Sequence, residues 1–112
     1  MITQLGKAHV TLSQWNIICV TLPNGDYGEV FIGYSHTDNL GRLSTKIQEY
    51  NSETGEGLTK SGSTYLTIGE PGIPHSDALY VLERTIGAGR VEKELLSGKG
   101  SGAIKFKFPV NM

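Results

Sequence analysis

The fold of this chain is decided by residues 15–34, which read WNIICVTLPNGDYGEVFIGY. Two runs rich in Ile, Val, Phe and other aromatic residues flank the turn formers Pro23-Asn24-Gly25-Asp26. An Asn-Gly pair accepts the positive φ angles that a tight hairpin turn requires. In the first run the side chains are apolar on both alternating faces, as in a strand that is covered on both sides. The stretch therefore predicts the central β-hairpin of a small domain.

The length and charge of the chain limit the classes of protein to which it can belong. At 112 residues it is expected to form a single domain spanning residues 1–112. The formal net charge is −1 and the pI is about 6.3, so no basic surface for nucleic acid or an anionic membrane is indicated. Stacking of single-stranded nucleic acid on aromatic rings would need a basic groove as well. We therefore expect neither a membrane nor a nucleic-acid partner.

Cys19 is the single cysteine, and it lies inside the first apolar run. An internal disulfide is therefore excluded, and the Cys and His spacings of a zinc site do not occur, so no metal is predicted. The first ten residues, MITQLGKAHV, contain no apolar segment of signal-peptide length. No segment has the roughly 18 apolar residues that a membrane-spanning helix needs. These patterns predict a cytoplasmic protein.

Further short strands and one helix are predicted around the hairpin. Alternating or β-rich runs predict strands at 9–12, 42–50, 56–60, 63–68 and 104–108, with a break at Ser13-Gln14. A helix is predicted to begin with Ser76 as its N-cap and to end at 87–89. Residues 90–96 fit either a helical turn or an edge strand. The sum predicts a mainly β (α+β) fold: a small antiparallel, strongly bent sheet or an SH3-like partly closed barrel, with one helix in the C-terminal third.

A series of different turn and strand motifs occupies residues 15–72. They are Trp15, Asn24-Gly25, Gly33-Tyr34, His36, Thr45, Thr59-Lys60-Ser61-Gly62-Ser63-Thr64-Tyr65 and Gly69-Glu70-Pro71. This succession resembles a set of short uncharacterised bacterial proteins encoded among phage, plasmid or integron-cassette genes. The chain departs from that group at Asp38-Asn39, where the group has proline-rich turns. The resemblance implies a β-rich bacterial protein of a mobile genetic element, and it implies no activity or site residue.

Two histidines in polar loops are the main candidates for chemistry. His36 and His75 are each followed two residues later by an aspartate, Asp38 and Asp77. A histidine held by a carboxylate can act as a general base. The simpler interpretation is that Asp77 serves the helix N-terminus and Asp38 forms a turn. No catalytic residue is therefore predicted.

Four residues are predicted as ligand-binding candidates: Tyr34, His36, Arg42 and His75. A tyrosine at the edge of a strand can bury its ring and keep its hydroxyl in water. The glycine-rich stretch 97–102 lacks the glycine and hydroxyl positions of a nucleotide-binding loop. No cofactor is therefore predicted.

Two functional hypotheses remain open at the level of sequence. The first is a non-enzymatic interaction module of a mobile element that forms a homo-oligomer or binds a protein partner, because exposed strand edges are commonly covered in this way. The alternative is a small-ligand binder or enzyme with a pocket at one barrel mouth, lined by His36, Arg42, His75 and neighbouring tyrosines.

Overall fold

The computed structural model describes residues 9–21, 27–86 and 104–109. In chain order the elements are β1 (His9–Thr21), β2 (Tyr27–Ser35), β3 (Leu40–Leu43), β4 (Ile47–Asn51), β5 (Glu56–Thr59), β6 (Thr64–Thr67), α1 (Ser76–Ile86) and β7 (Ile104–Phe106). The predicted mainly β fold with a single helix is confirmed for this part of the chain. The hairpin turn at 23–26, the helix end at 87–89, the ambiguous stretch 90–96 and the glycine-rich stretch 97–102 lie outside the described residues.

The strands form one mixed sheet rather than a purely antiparallel one. Its order is β3-β2-β1-β6-β5-β4, with β7 pairing β1 off this path. β1 pairs β2 and β7 antiparallel but pairs β6 in parallel. β3 and β4 stand at opposite ends of the order although only residues 44–46 separate them. The sheet must therefore curve strongly, but in the described residues it does not close into a barrel.

A β-bulge inside β1 replaces the predicted break. The register with β2 shifts between Ser13 and Asn16, and Gln14 has a φ of 44°. An extra residue reverses the alternation of side chains along a strand. Leu12 and Trp15 consequently contribute to the same core cluster although an odd number of positions separates them.

Both faces of the central hairpin are buried, as its sequence predicts. On one face Ile18 and Ile32 pack against Ala78 and Leu82 of α1. On the other face lies an inner core, formed by Val10, Leu12, Trp15, Ile17, Phe31 and Tyr65, with Ile47, Tyr50 and Phe108 packed against it. The sheet thus separates a helix-covered core from a core enclosed by its own curvature.

The predicted strand 42–50 is two strands. Phe31 N donates to Ser44 Oγ (2.8 Å) and Ser44 N donates to Phe31 O (3.0 Å), so the chain follows β2 up to this point. Lys60 N then donates to Lys46 O (2.7 Å), which starts the pairing with β5. We call residues 44–46, where the chain leaves β2 and joins β5, the crossing. The alternation of the sequence continues through the crossing because the strands before and after it are both partly buried, so the pattern did not indicate that one strand ends and another begins there.

The N-cap of α1 is His75 rather than the predicted Ser76. Leu79 N donates to His75 O (3.1 Å), the first bond of the helix, and Asp77 N donates to the Nδ1 atom of His75 (3.0 Å). A side-chain acceptor bonded to this amide is the defining contact of a cap. The helix start lies directly on β3, where a Cβ atom on Gly41 would come within 2.3 Å of the carbonyl carbon of Asp77.

Candidate functional site

Tyr34 brings the two predicted histidines together. Its ring centroid lies 5.3 Å from that of His36, edge to face, and 4.6 Å from that of His75. The loop carrying His75 is attached to the bulge of β1, because His75 N donates to Gln14 O (2.9 Å). Tyr34, His36 and His75 therefore form one surface group, which we call the histidine cluster.

Arg42 lies apart from the histidine cluster. It pairs with Gly33, so its side chain is on the face of the sheet opposite to that of Tyr34. Its Nε donates to the hydroxyl of Tyr65 (2.9 Å) and its Nη1 to Asp38 (2.8 Å). These partners raise the pKa of Arg42 against the opposing effect of its burial, which is the largest single influence. The curved sheet thus places one of the four candidates on a different surface.

The histidine cluster contains a residue that the sequence did not single out. Ser13 Oγ lies 2.6 Å from Nε2 of His36. A hydroxyl bonded to an imidazole is half of a nucleophile–base arrangement, which also needs a group that orients the histidine. No such group is bonded to Nδ1 of His36 in the described residues. The pair therefore indicates no particular reaction.

A cleft of about 660 Å³ lies over four neighbouring strands, on the side away from the inner core. Cross-strand register places its side chains in two rows, which are Glu49, Leu58, Thr64 and His9, and Asn51, Glu56, Leu66 and Thr11. We call these eight residues the four-strand face. Alternate residues point the other way: the ring of Tyr65 belongs to the inner core, and a Cβ on Gly57 would touch Phe31. This surface has no signal in the sequence, because it depends on pairing between segments that are distant along the chain.

The four-strand face is acidic and partly apolar. Glu49 and Glu56 are exposed, and no described residue forms a salt bridge with either carboxylate. Among the described residues, neither lysine nor arginine lines the cleft. Leu66 remains 42% exposed beside them, and Leu58 is half-buried. The surface thus combines unpaired negative charge with accessible apolar area.

A second recess, of about 390 Å³, opens at one end of the inner core. Its lining includes the rings of Trp15, Tyr50 and Phe108 and the carboxylate residues Glu53 and Glu70. We call it the mouth pocket. Neither this pocket nor the cleft over the four-strand face includes His36 or His75.

Cys19, Tyr27 and Glu29 form a further polar group at the far end of the hairpin. Tyr27 Oη donates to Glu29 (3.3 Å), and the thiol of the buried Cys19 lies 3.8 Å from the same carboxylate. Interaction with Cys19, then desolvation and the Glu29 charge, raise the pKa of Tyr27 to about 12. Lys107 holds the carboxylate from the other side (3.0 Å). Through the salt bridge between Lys107 and Glu29, this group links the C-terminal segment to the hairpin.

Within the described ranges, no group of three or more His, Cys, Asp or Glu side chains is arranged to hold a metal ion. No helix there is both long and apolar enough to cross a bilayer.

Comparison with protein-family models, with curated proteins and with solved structures gave no match to this chain. The resemblance to bacterial mobile-element proteins therefore stays a prediction.

Proposed function

We propose that this protein is a non-enzymatic interaction module that binds a positively charged, extended segment of a partner protein across its four-strand face. The observation that supports this most directly is the pair of unpaired glutamates, Glu49 and Glu56, beside exposed leucine in a cleft of about 660 Å³.

The two glutamates repel each other in the free protein. Glu49 pairs with Leu58, and Glu56 lies two residues before Leu58 on β5. Glu49 and Glu56 are therefore diagonal neighbours, which lie about 7–8 Å apart in a sheet. Like charges at this separation are mildly unfavourable, and no described cation offsets them. A basic segment would offset both charges at once.

The dimensions of the face suit an extended segment. Neighbouring strands are about 4.8 Å apart, so crossing β4, β5, β6 and β1 takes about 14 Å, or about four extended residues. Alternate residues of such a segment point to the same side. The side chains that face the strands therefore come from every second residue of the segment. A segment in which these residues are in turn basic and apolar would place its charges near Glu49 and Glu56 and its apolar side chains near Leu58 and Leu66.

Fluorescence anisotropy with a labelled KTLTKTL peptide, in which lysine and leucine share one side, tests the proposal. We expect saturable binding that weakens with added salt, because exposed charge pairs are screened. The double variant Glu49→Lys, Glu56→Lys should weaken binding about tenfold or more, since each exposed pair contributes up to about 1 kcal/mol and reversal adds repulsion. A peptide with glutamate in place of lysine should not bind.

A matched control separates the face from the overall charge of the protein. The double variant Glu53→Lys, Glu70→Lys changes net charge equally but lies in the mouth pocket. Equal loss of binding in both double variants would contradict a defined site. Sedimentation tests the other occupant: a dimer that dissociates in Glu49→Lys, Glu56→Lys would overturn the proposal in favour of a second copy of this chain.

A further inference from the structure

The mouth pocket has the size and lining of a small-ligand site, and it is distinct from the four-strand face. Its volume of about 390 Å³ lies within the ~300–1,000 Å³ range of such sites. It opens where the inner core meets the turn between β4 and β5 and the segment after β6. Its interior is aromatic, whereas its exposed rim carries Glu53 and Glu70.

Three aromatic residues line this pocket and pack edge to face on one another. The ring of Trp15 lies 6.0 Å from Tyr50 at 64° and 5.8 Å from Phe108 at 77°. Trp15 is only 3% exposed, whereas Tyr50 and Phe108 are half-buried. The faces of such rings carry partial negative charge and attract cations. Tyr50 and Phe108 keep accessible surface for such a contact, and the buried Trp15 lies directly behind them.

The rings are already fixed by the protein. Nε1 of Trp15 donates to Gly69 O (3.0 Å), and the hydroxyl of Tyr50 is hydrogen-bonded to Oγ1 of Thr67 (3.0 Å). Phe108 is fixed through its main chain, because Oδ1 of Asn16 accepts from its N and Nδ2 donates to its O. A pocket whose side chains are held in this way loses little conformational freedom when a ligand binds.

The polar atoms inside the pocket already have protein partners. Gly69 O accepts from Trp15, and Oγ1 of Thr67 donates to Gly55 O (3.1 Å) besides bonding Tyr50. A ligand that needs several hydrogen bonds would find few there. The free polar groups of the lining include the exposed hydroxyl of Ser52 and the carboxylates of Glu53 and Glu70. No described residue neutralises these two carboxylates.

We propose that the mouth pocket binds a methylated ammonium group. Such a cation has no need of strong hydrogen-bond acceptors, and it interacts favourably both with aromatic faces and with carboxylates. The group can belong to a free quaternary ammonium compound or to a methylated lysine side chain, and the two sources share this chemistry. The inference does not depend on the four-strand face.

Tryptophan fluorescence tests the inference directly, because Trp15 is the only tryptophan of the chain. The probe is choline chloride, and the comparison compound is its neutral isostere with carbon in place of the quaternary nitrogen. We expect a saturable change with choline and binding of the isostere at least about tenfold weaker, as expected for a desolvated cation–π contact. An equal response to both compounds, or none to choline, would overturn the inference.

Two double variants locate the response. Glu53→Gln, Glu70→Gln removes both rim charges from exposed positions and should weaken choline binding about fivefold. Glu49→Gln, Glu56→Gln removes the same charge from the four-strand face and should leave choline binding unchanged. Equal weakening by both would refute a local site. Because the peptide test of the four-strand face uses other variants, failure of one proposal is distinguishable from failure of the other.

A third arm identifies the source of the cation. A short peptide containing trimethyl-lysine is titrated beside choline and beside the unmethylated peptide. Tighter binding of the methylated peptide than of choline indicates a protein side chain, and similar binding of the two indicates a free compound. Tighter binding of the unmethylated peptide would overturn the assignment to a methylated ammonium group.

Discussion

Replacement of Asn16 is expected to destabilise the protein more than any exposed substitution. Its side chain is fully buried. Nδ2 donates to Gly72 O (2.9 Å) and Phe108 O (3.1 Å), while Oδ1 accepts from Phe108 N (3.2 Å) and Ile17 N (2.7 Å). One side chain thus joins β1 to the segment before α1 and to the C-terminal segment.

Asn16→Leu fills a similar space without replacing these bonds. The main-chain groups of Gly72 and Phe108 lose three contacts, and each orphaned group costs about 1–3 kcal/mol. Because both residues are only partly buried, water can reach some of these groups. We therefore use the lower limit and expect the free energy of unfolding to fall by about 3 kcal/mol. Asn16→Ala leaves room for a water molecule and should cost less, about 2 kcal/mol.

Urea denaturation followed by the fluorescence of Trp15 measures both variants. Gln48→Leu, at an exposed position of β4, is the control and should change the free energy of unfolding by no more than about 0.5 kcal/mol. If Asn16→Ala also stays within that range, the hydrogen bonds of Asn16 do not stabilise the fold as argued. Comparison with Asn16→Ala is needed because it cannot overpack the core.

Three further outcomes follow from local geometry. Gly41→Ala should lower the free energy of unfolding by about 2 kcal/mol, because its Cβ would lie 2.3 Å from the carbonyl carbon of Asp77; an unchanged urea midpoint would contradict that contact. Cys19→Ala should lower the pKa of Tyr27 from about 12 toward 10.0, and a tyrosinate absorbance titration would detect this. Because the folded pKa of Tyr27 is raised, its contribution to stability is present below pH 10.0 and is lost as the pH rises toward about 12. This loss of stability should be smaller in Cys19→Ala. An identical loss in both proteins would be inconsistent with Cys19 as the cause of the raised pKa. His75→Ala should cost about 1 kcal/mol by removing the cap of α1, whereas His75→Asn should retain most of it; equal unfolding free energies for the two would show that the side chain does not cap the helix.

The local elements of this protein were predictable because their signals lie within short stretches. Two apolar runs around an Asn-Gly turn predicted a central hairpin covered on both sides, and both faces are buried. The helix was predicted near its observed range, Ser76–Ile86. The predicted N-cap was wrong by one residue, because the imidazole of His75 accepts the hydrogen bond from the backbone amide that a serine side chain commonly accepts. Propensity alone does not show which side chain does so.

The candidate site was predictable only in part. Tyr34, His36 and His75 lie together, whereas Arg42 is on the opposite face, because a residue paired with Gly33 points away from Tyr34. The four-strand face and the mouth pocket carried no signal in the sequence. Their side chains come from strands that are far apart along the chain, and no local pattern specifies which strands become neighbours.

The sequence by itself determined the mainly β class, the helix that follows residue 75 and the residues that are apolar enough to form the core. Only the tertiary structure decided three features: the bulge at Ser13–Asn16, the crossing at 44–46 and the parallel pairing of β1 with β6. The physical reason is that alternation has a period of two residues and records burial, not partners. Partner choice depends on how the curved sheet encloses its inner core. That choice sets where Glu49, Glu56 and the rings around Trp15 meet.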